Sequence, residues 1–213
     1  MKTRLLVLLA MQVFLICAVG QAGERESRPT DIEDGVLDSI HLKVAALPEG
    51  LPIFVKPFST EGVDLGTGAE GGKDTRVEAA KAIAALGPEL LLKSLQTSLR
   101  EGATLQILPD PNTATMPAEY LVIEGKFLAI DPGSRAKRYW AGFGAGKSGV
   151  KVTGTVKDSS GKVLAEFTHM KHSGIGVGGG DYMKFLSDDT KDIGKDIGTF
   201  LIRWAAGSDL RED

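Results

Sequence analysis

The stretch from residue 131 to residue 152 combines residue types that could do chemistry. Within it, Ala141-Gly142-Phe143-Gly144-Ala145-Gly146-Lys147-Ser148 satisfies a relaxed phosphate-binding-loop pattern in which alanine replaces the first glycine. Such a loop requires a helix directly behind it, because the N-terminal amides and dipole of that helix hold the phosphates. Residues 149–157 instead alternate valines with polar residues, which predicts a strand. The sequence therefore argues against nucleotide binding, and we expect the glycines to allow a crowded strand entry.

The same stretch concentrates positive charge in an otherwise acidic chain. Its five cations stand against Asp131 alone, a net charge of +4, and aromatic residues including Phe143 lie among them. Such a patch could contact anionic lipid headgroups, a cell-wall polymer or an acidic partner protein. Solvated loop charges and core aromatic residues explain it equally well. The candidate interaction patch consists of Arg135, Lys137, Arg138, Tyr139, Trp140, Lys147 and Lys151.

Other residues with catalytic or metal-binding potential do not form a set. His169 and His172 are three apart on a predicted strand and point to opposite faces, so local spacing does not give them a shared metal. Ser148 lacks the strand-turn-helix elbow of a hydrolase nucleophile. An acidic stripe on the last helix, interleaved with lysines, is expected to be a solvated, ion-paired face: Asp188, Asp192 and Asp196. We therefore predict no catalytic residues, no metal and no cofactor.

The first 22 residues have the pattern of a secretory signal peptide. Two cations precede an apolar run over residues 5–19, and the small-residue pattern Gly20-Gln21-Ala22 follows it. We expect cleavage after Ala22 and export to the periplasm, with peripheral association with the outer membrane as one option. Acylation at Cys17, which bulky residues precede, and a retained N-terminal anchor are the alternatives. Cys17 is the only cysteine, so a cleaved chain would have no disulfide.

The remainder of the chain is acidic and long enough for one domain. Without Lys2 and Arg4 there are 23 lysines and arginines against 28 aspartates and glutamates, a net charge of −5. Nucleic-acid binding without sequence preference depends on neutralising phosphates, so this composition disfavours it. About 190 residues suffice for one domain that buries roughly 70% of its unfolded surface. No later segment provides the ~20 apolar residues of a membrane-spanning helix.

The elements that would position these residues indicate an α+β fold. Short strands are predicted over 40–44 and 53–56, the second ended or placed at an edge by Pro57, with later strands over 104–108 and 120–130. A hairpin is predicted over 150–167. One amphipathic helix spans 75–100 with a kink or break at Gly87-Pro88, and another follows the capping residue Asp181. We predict a mixed, mostly antiparallel sheet of about five strands packed against two long helices. Residues 23–39 would form a flexible tether, 40–207 a single domain and 208–213 a C-terminal tail.

Three motifs, in this order, carry a resemblance to a known family: Leu128-Ala129-Ile130-Asp131-Pro132-Gly133-Ser134-Arg135-Ala136-Lys137-Arg138, then Gly142-Phe143-Gly144-Ala145-Gly146-Lys147-Ser148, then Gly161-Lys162-Val163-Leu164. Over about residues 51–205 the chain resembles an uncharacterised family of exported bacterial proteins, known only as a domain of unknown function (forty-four ten). The resemblance implies an envelope location in a Gram-negative-type cell, and many relatives look like lipoproteins. It implies no activity and no catalytic residue at any position of this sequence.

The function class expected from these observations is a non-enzymatic accessory or interaction module of the cell envelope. Its contact surface would include the basic glycine loop, and its partner would be an envelope protein or an anionic envelope surface. The alternative is a periplasmic ligand carrier or hydrolase whose pocket forms only through tertiary contacts. A deep apolar cavity with converging polar groups would favour that alternative.

Overall fold

The computed structural model of the chain describes residues 30–33, 35–48, 50–66, 75–102, 117–133, 148–173 and 181–211. In these ranges, six strands form one sheet in the order β1-β2-β6-β5-β4-β3, and only β3 and β4 are parallel neighbours. The predicted α+β class is confirmed, with six strands in the sheet where about five were expected. The elements are β1 (Thr30–Glu33), β2 (Ser39–Leu42), β3 (Ile53–Val55), α1 (Thr75–Glu101), β4 (Leu121–Asp131), β5 (Ser148–Asp158), β6 (Val163–Ser173) and α2 (Tyr182–Ala205).

The predicted hairpin is the centre of the sheet. β5 and β6 pair over their length, from Ser148 opposite Ser173 to Lys157 opposite Val163. The turn between them is fixed by Asp158, whose carboxylate accepts the backbone N–H groups of Ser160 and Lys162. Gly161 has a φ of 88°, a left-handed conformation that glycine adopts at little cost. Because side chains alternate along a strand, this register fixes which residues of all the central strands share a face.

Both helices pack on one face of the sheet. α1 buries Leu91, Leu95 and Leu99 at four-residue spacing, and α2 buries Ile193, Ile197 and Leu201 in the same way. The ring of Phe200 on α2 lies 5.9 Å from that of Phe167 on β6, which shows that α2 covers this face of β6. α2 begins as predicted, with the Asp181 side chain accepting the backbone N–H of Lys184.

Of the kink or break predicted at Gly87-Pro88, the break is wrong. α1 continues through Pro88 to Glu101. Ile83 before the proline and Leu91 after it are both fully buried, so packing of both halves compensates for the one backbone hydrogen bond that proline removes. Gly87 lies against the sheet, where an added Cβ would be 3.2 Å from the ring of Phe127. The crossover from β3 through α1 to β4 joins parallel strands.

The two ends of the described chain belong to the fold, so the predicted tether is wrong from Thr30 onward. β1 pairs with β2, and Ile32 and Leu37 are buried in the core. Leu210, assigned to a C-terminal tail, is also buried, and its carbonyl accepts the backbone N–H of Val36 at 2.9 Å. These apolar residues stand among polar ones and give no periodic signal in the sequence, yet Ile32, Leu37 and Leu210 are all buried in the core.

β3 lies at the edge of the sheet and ends before Pro57, as predicted. The strand predicted over 104–108 lies outside the described residues. No helix among the described residues is long and apolar enough to cross a membrane.

Candidate functional site

The face of the sheet opposite the two helices is polar, and we call it the open face. On β5 the core-facing Val150, Val152 and Val156 are fully buried, while the intervening residues 151, 153, 155 and 157 are only partly buried. The pairing register carries the same alternation across the neighbouring strands. Polar and charged side chains of five strands therefore share one surface.

Two cross-strand rows organise the open face. The first runs through residues paired from β1 to β4, and it is charged: Asp31, His41, Glu166, Thr155 and Glu124. The second is rich in hydroxyl groups: Ser39, Thr168, Thr153, Lys126 and Ser59, the last joined to Lys126 by an isolated bridge. Directly opposed side chains on neighbouring strands lie close enough to interact, so each row is a continuous surface.

The glutamates of the first row are neutralised by lysines. The carboxylate of Glu124 accepts from Lys157 Nζ at 2.5 Å and from Lys56 Nζ at 2.8 Å. These hydrogen bonds, from Lys157 first and then Lys56, lower the pKa of Glu124 below its usual range. Glu166 lies 3.3 Å from Lys43. The two glutamates therefore leave little uncompensated negative charge on this row.

Two other lysines of the open face have no carboxylate partner in the part of the chain that the structure describes. Lys126 lies opposite Thr153 on β5, and Lys151 is two residues from Thr153 on the same strand. Lys126 is exposed and Lys151 is half-buried. Both lie towards the end of the sheet at which Asp131 pairs with Gly149. The carboxylates of Asp64 and Asp131 lie at the same end, where they accept backbone N–H groups rather than lysine side chains. Because its two lysines have no carboxylate partner among the described residues, we call this end of the open face the cationic end.

The structure places one member of the candidate interaction patch at the cationic end, namely Lys151. Lys126, which the sequence reasoning missed, joins it through the strand register. The signal was available, because Lys126 alternates with the apolar residues of β4. The other members of the patch lie outside the described residues, and their assignment stays a prediction: Arg135, Lys137, Arg138, Tyr139, Trp140 and Lys147.

A shallow trough crosses the open face between the outer strands. It consists of two adjoining concavities of about 360 and about 470 Å³ that share Thr153, Gly154 and Thr155. Thr153 donates to the carbonyl of Phe167 at 2.9 Å, and Thr168 lies 3.5 Å from the Thr153 hydroxyl. The further polar side chains that line the trough are Ser39, His41, Lys56, Ser59, Glu124, Lys126, Lys157, Glu166 and Thr168.

A polar seam lies between β6 and α2, on the covered face of the sheet. His169 is only 4% exposed, and its Nε2 lies 2.8 Å from Oδ2 of Asp196. The same carboxylate oxygen lies 2.8 Å from Lys171 Nζ. On the other side of the ring, Nδ1 accepts the backbone N–H of Asp38 at 3.4 Å. Since both ring nitrogens are engaged and the ring is enclosed, His169 is positioned to hold the fold together rather than to meet a substrate.

The prediction that the acidic stripe of α2 is a solvated face is wrong at one position, Asp196. Asp188 and Asp192 pair with lysines on the surface of α2, as expected, but Asp196 faces the sheet. Burial alone would raise the pKa of Asp196, yet hydrogen bonds from His169 and Lys171 outweigh it and hold the pKa below its usual range. Sequence pattern could have found this contact, because His169 continues the apolar phase of Ala165 and Phe167.

A second carboxylate of α2 is also turned inward. Asp189 accepts the hydroxyl of Ser173 at 2.6 Å and its backbone N–H at 3.2 Å. Burial raises the pKa of Asp189, and the hydrogen bonds from Ser173 only partly offset this. Within the described ranges, no group of three or more histidine, cysteine, aspartate or glutamate side chains could hold a metal ion.

The phosphate-binding-loop pattern lacks the structural element it needs. Ser148, its last residue, begins strand β5 and is fully buried. The strand expected after the pattern is confirmed, so no helix N-terminus follows to hold phosphate groups. Gly149, the next residue, has space only for hydrogen, since an added Cβ would be 2.6 Å from the carbonyl oxygen of Lys171.

Comparison with known proteins gives a family and a distant structural likeness. The family model described as Domain of unknown function (DUF4410) matches residues 53–177. No curated protein matches the chain. A PelC dodecamer from Paraburkholderia phytofirmans is 14% identical with a TM-score of 0.38, covering 79% of this chain and 95% of that chain. A variant PelC dodecamer from the same organism is 18% identical with a TM-score of 0.32, covering 71% of this chain and 89% of that chain. Likenesses at these TM-scores carry no argument about function or assembly. Because the family model matches more than half of the chain, the protein belongs to the DUF4410 family of domains of unknown function.

Proposed function

We propose that the protein is a non-enzymatic interaction module of the bacterial cell envelope that binds an anionic partner through the cationic end of its open face. The observation that carries the proposal is the placement of Lys126 and Lys151. They lie near each other on an uncovered sheet surface, and neither has a carboxylate partner among the described residues. Neighbouring like charges are unfavourable within the fold, so their arrangement suits a ligand that brings negative charge.

The chemistry of the open face supports binding rather than catalysis. The histidine–carboxylate contact of the open face, His41 with Asp31, is exposed to solvent, and the enclosed one, His169 with Asp196, faces the helices instead. The core that the structure describes is filled by apolar side chains, many of them fully buried. The concavities of the open face are shallow and open to solvent. These features favour a contact surface over the enclosed pocket that a ligand carrier or hydrolase would require.

A groove of about 540 Å³ between α1 and α2 does not change this assignment. Three of its hydroxyl groups already donate hydrogen bonds within the helix pair. Ser94 and Ser98 donate to backbone carbonyls of α2, and Thr97 donates within α1. Gly194 and Gly198 bring the two helices close at this place. The groove is a consequence of helix packing.

The envelope location is part of the proposal and rests on the N-terminal leader pattern and the family resemblance. The six further members of the candidate interaction patch would extend the cationic end, since residues 134–147 connect β4 to β5 there in the sequence. Their four positive charges and two aromatic rings would enlarge the area that an anionic partner meets. Export would place this surface in contact with envelope proteins and anionic envelope components.

Crosslinking in the native envelope, followed by quantification of the captured partner, tests the proposal. A Lys126→Glu, Lys151→Glu double variant should reduce the yield at least fivefold, and charge reversal at 135, 137 and 138 should act in the same direction. Thermal unfolding of the Lys126→Glu, Lys151→Glu variant should change little, because both side chains lie on the open face and outside the core. The matched control is Lys81→Glu with Lys93→Glu on the exposed side of α1. An unaltered yield for the open-face variant would refute the proposal.

A further inference from the structure

We propose that the trough on the open face holds an extended, acidic polypeptide segment of the partner, lying across the strands. This inference rests on the proposed function and specifies the kind of ligand. It depends on the shape of the trough, on the hydroxyl groups along its floor and on the distribution of charge along its walls, which are separate observations.

The length of the trough suits an extended chain. It passes over β2, β6, β5 and β4 to Ser59 beside β4, which is five strand positions. Neighbouring strands lie about 4.8 Å apart, so the floor spans roughly 19 Å. An extended polypeptide advances about 3.3 Å per residue, and about six residues would therefore fit along it.

The floor offers hydrogen bonds that can adapt to a peptide backbone. Its residues are short and carry hydroxyl groups, from Ser39 through Thr168 and Thr153 to Ser59. Thr153 already donates to the carbonyl of Phe167 and Ser59 already accepts the backbone N–H of Glu61, so Thr153 can still accept from a peptide N–H and Ser59 can still donate to a peptide carbonyl. Two aromatic side chains line the trough, but Phe167 is buried against Phe200 and the ring of His41 contacts Asp31, which disfavours stacking of the bases of a single-stranded nucleic acid.

The walls select for negative charge on the segment. The two glutamates that line the trough, Glu124 and Glu166, are already paired with lysines. Lys126 lines the trough with no carboxylate partner among the described residues, and Lys151 lies just beyond it. A carboxylate of the ligand would meet these lysines without displacing an existing ion pair. We therefore assign the trough to an acidic peptide.

The test measures binding of a labelled twelve-residue peptide of alternating glutamate and serine to the full chain by fluorescence anisotropy. Thr153→Tyr should weaken binding at least tenfold by filling the floor, and Thr168→Tyr should do the same from the neighbouring strand. Tyrosine is favoured at exposed strand positions, so both variants should fold, which circular dichroism and thermal unfolding would check. Thr97→Tyr on α1, at another exposed threonine, is the matched control and should bind normally.

The outcomes separate this inference from the function on which it rests. If Lys126→Glu with Lys151→Glu reduces envelope crosslinking but neither tyrosine variant affects peptide binding, the trough assignment is wrong and the proposed function stands. If the lysine variant leaves envelope crosslinking unchanged and the tyrosine variants leave peptide binding unchanged, both the proposed function and the trough assignment are wrong. The trough assignment also fails if the peptide does not bind, if a glutamine-serine peptide binds equally well, or if vesicles of phosphatidylglycerol and phosphatidylethanolamine or the acidic polysaccharide alginate bind in its place.

Discussion

Replacing Asp196 with asparagine tests whether the polar seam between β6 and α2 stabilises the fold. The substitution keeps the shape of the side chain and removes its charge. In the native protein, Oδ2 of Asp196 lies 2.8 Å from both His169 Nε2 and Lys171 Nζ. An amide oxygen can still accept one of these hydrogen bonds, but it cannot balance the lysine charge. The variant therefore isolates the ionic part of the interaction.

The expected loss is moderate because two effects oppose each other. Hydrogen bonds to a charged group contribute about 1.5 to 3 kcal/mol, and removing one partner of a fully buried pair costs about 3 to 5 kcal/mol. Asp196 remains 25% exposed and Lys171 38% exposed, so solvent screens the pair, and the desolvation cost of the carboxylate disappears with the charge. We expect Asp196→Asn to lower the free energy of unfolding at pH 7 by about 1 to 2 kcal/mol.

The loss should depend on pH in a definite direction. The pKa of Asp196 is lower in the folded protein than its usual value of 3.8. Its contribution is therefore fully present at a pH above the unfolded pKa and disappears as the pH falls through the lower, folded pKa. The difference between wild type and Asp196→Asn should be present at pH 7, and it should shrink at pH 3 and below.

Urea unfolding at pH 7 and at pH 3 measures the loss of stability, with Asp192→Asn as the control. Asp192 lies one turn away on α2, and it makes a single ion pair with Lys195 in which the two side chains are 51% and 65% exposed. Exposed pairs contribute little, so this control should change the free energy of unfolding by less than about 0.5 kcal/mol. The reasoning is refuted if Asp196→Asn is as stable as wild type at pH 7, or if its deficit is the same at pH 3.

Two further predictions concern the interior of the helix layer. Gly194→Ala should lower the melting temperature in a thermal scan, despite a helix-propensity gain of about 1 kcal/mol, because the added Cβ would be 2.8 Å from the backbone oxygen of Leu91; an increase would contradict the close packing of α1 and α2. Asp189→Asn should equal or exceed wild type in urea unfolding at pH 7. The raised pKa of Asp189 means that its contribution is greatest below 3.8 and is lost as the pH rises through the folded value, and an amide can still hydrogen-bond both groups of Ser173. A deficit larger than about 1 kcal/mol at pH 7 would show that the charge itself is needed.

Sequence periodicity was sufficient where an element buries one complete face. The valines of β5 alternate with polar residues over the whole strand, and the leucines of α1 recur at helical spacing, so both elements were identified correctly. β1 could not be found in this way, since Ile32 is its only buried residue and the strand exists because β2 pairs with it. The interruption of α1 was predicted from Pro88 alone, whereas burial on both sides of the proline decided the outcome.

In the candidate site, too, some residues could be identified from the sequence pattern, whereas others required the pairing of the strands. Lys151 was identified because it follows the glycine-rich stretch in the sequence. Its neighbour Lys126 is 25 positions earlier, and only the pairing of β4 with β5 brings the two together. The neutralisation of Glu124 by Lys56 and Lys157 likewise requires three strands in register. Sequence composition therefore predicted a cationic surface but could not show which of its charges remain available to a partner.

β6 separates the two roles that the structure assigns to the sheet. Its residues 167, 169 and 171 face α2 and join the core and the polar seam, while residues 166, 168 and 170 face the open side. Because successive side chains point to opposite faces, a substitution on the open side removes no contact with α2. Thr168→Tyr should therefore change ligand binding without changing stability, and His169→Ala should do the reverse. A protein in which both substitutions affected both properties equally would contradict this separation.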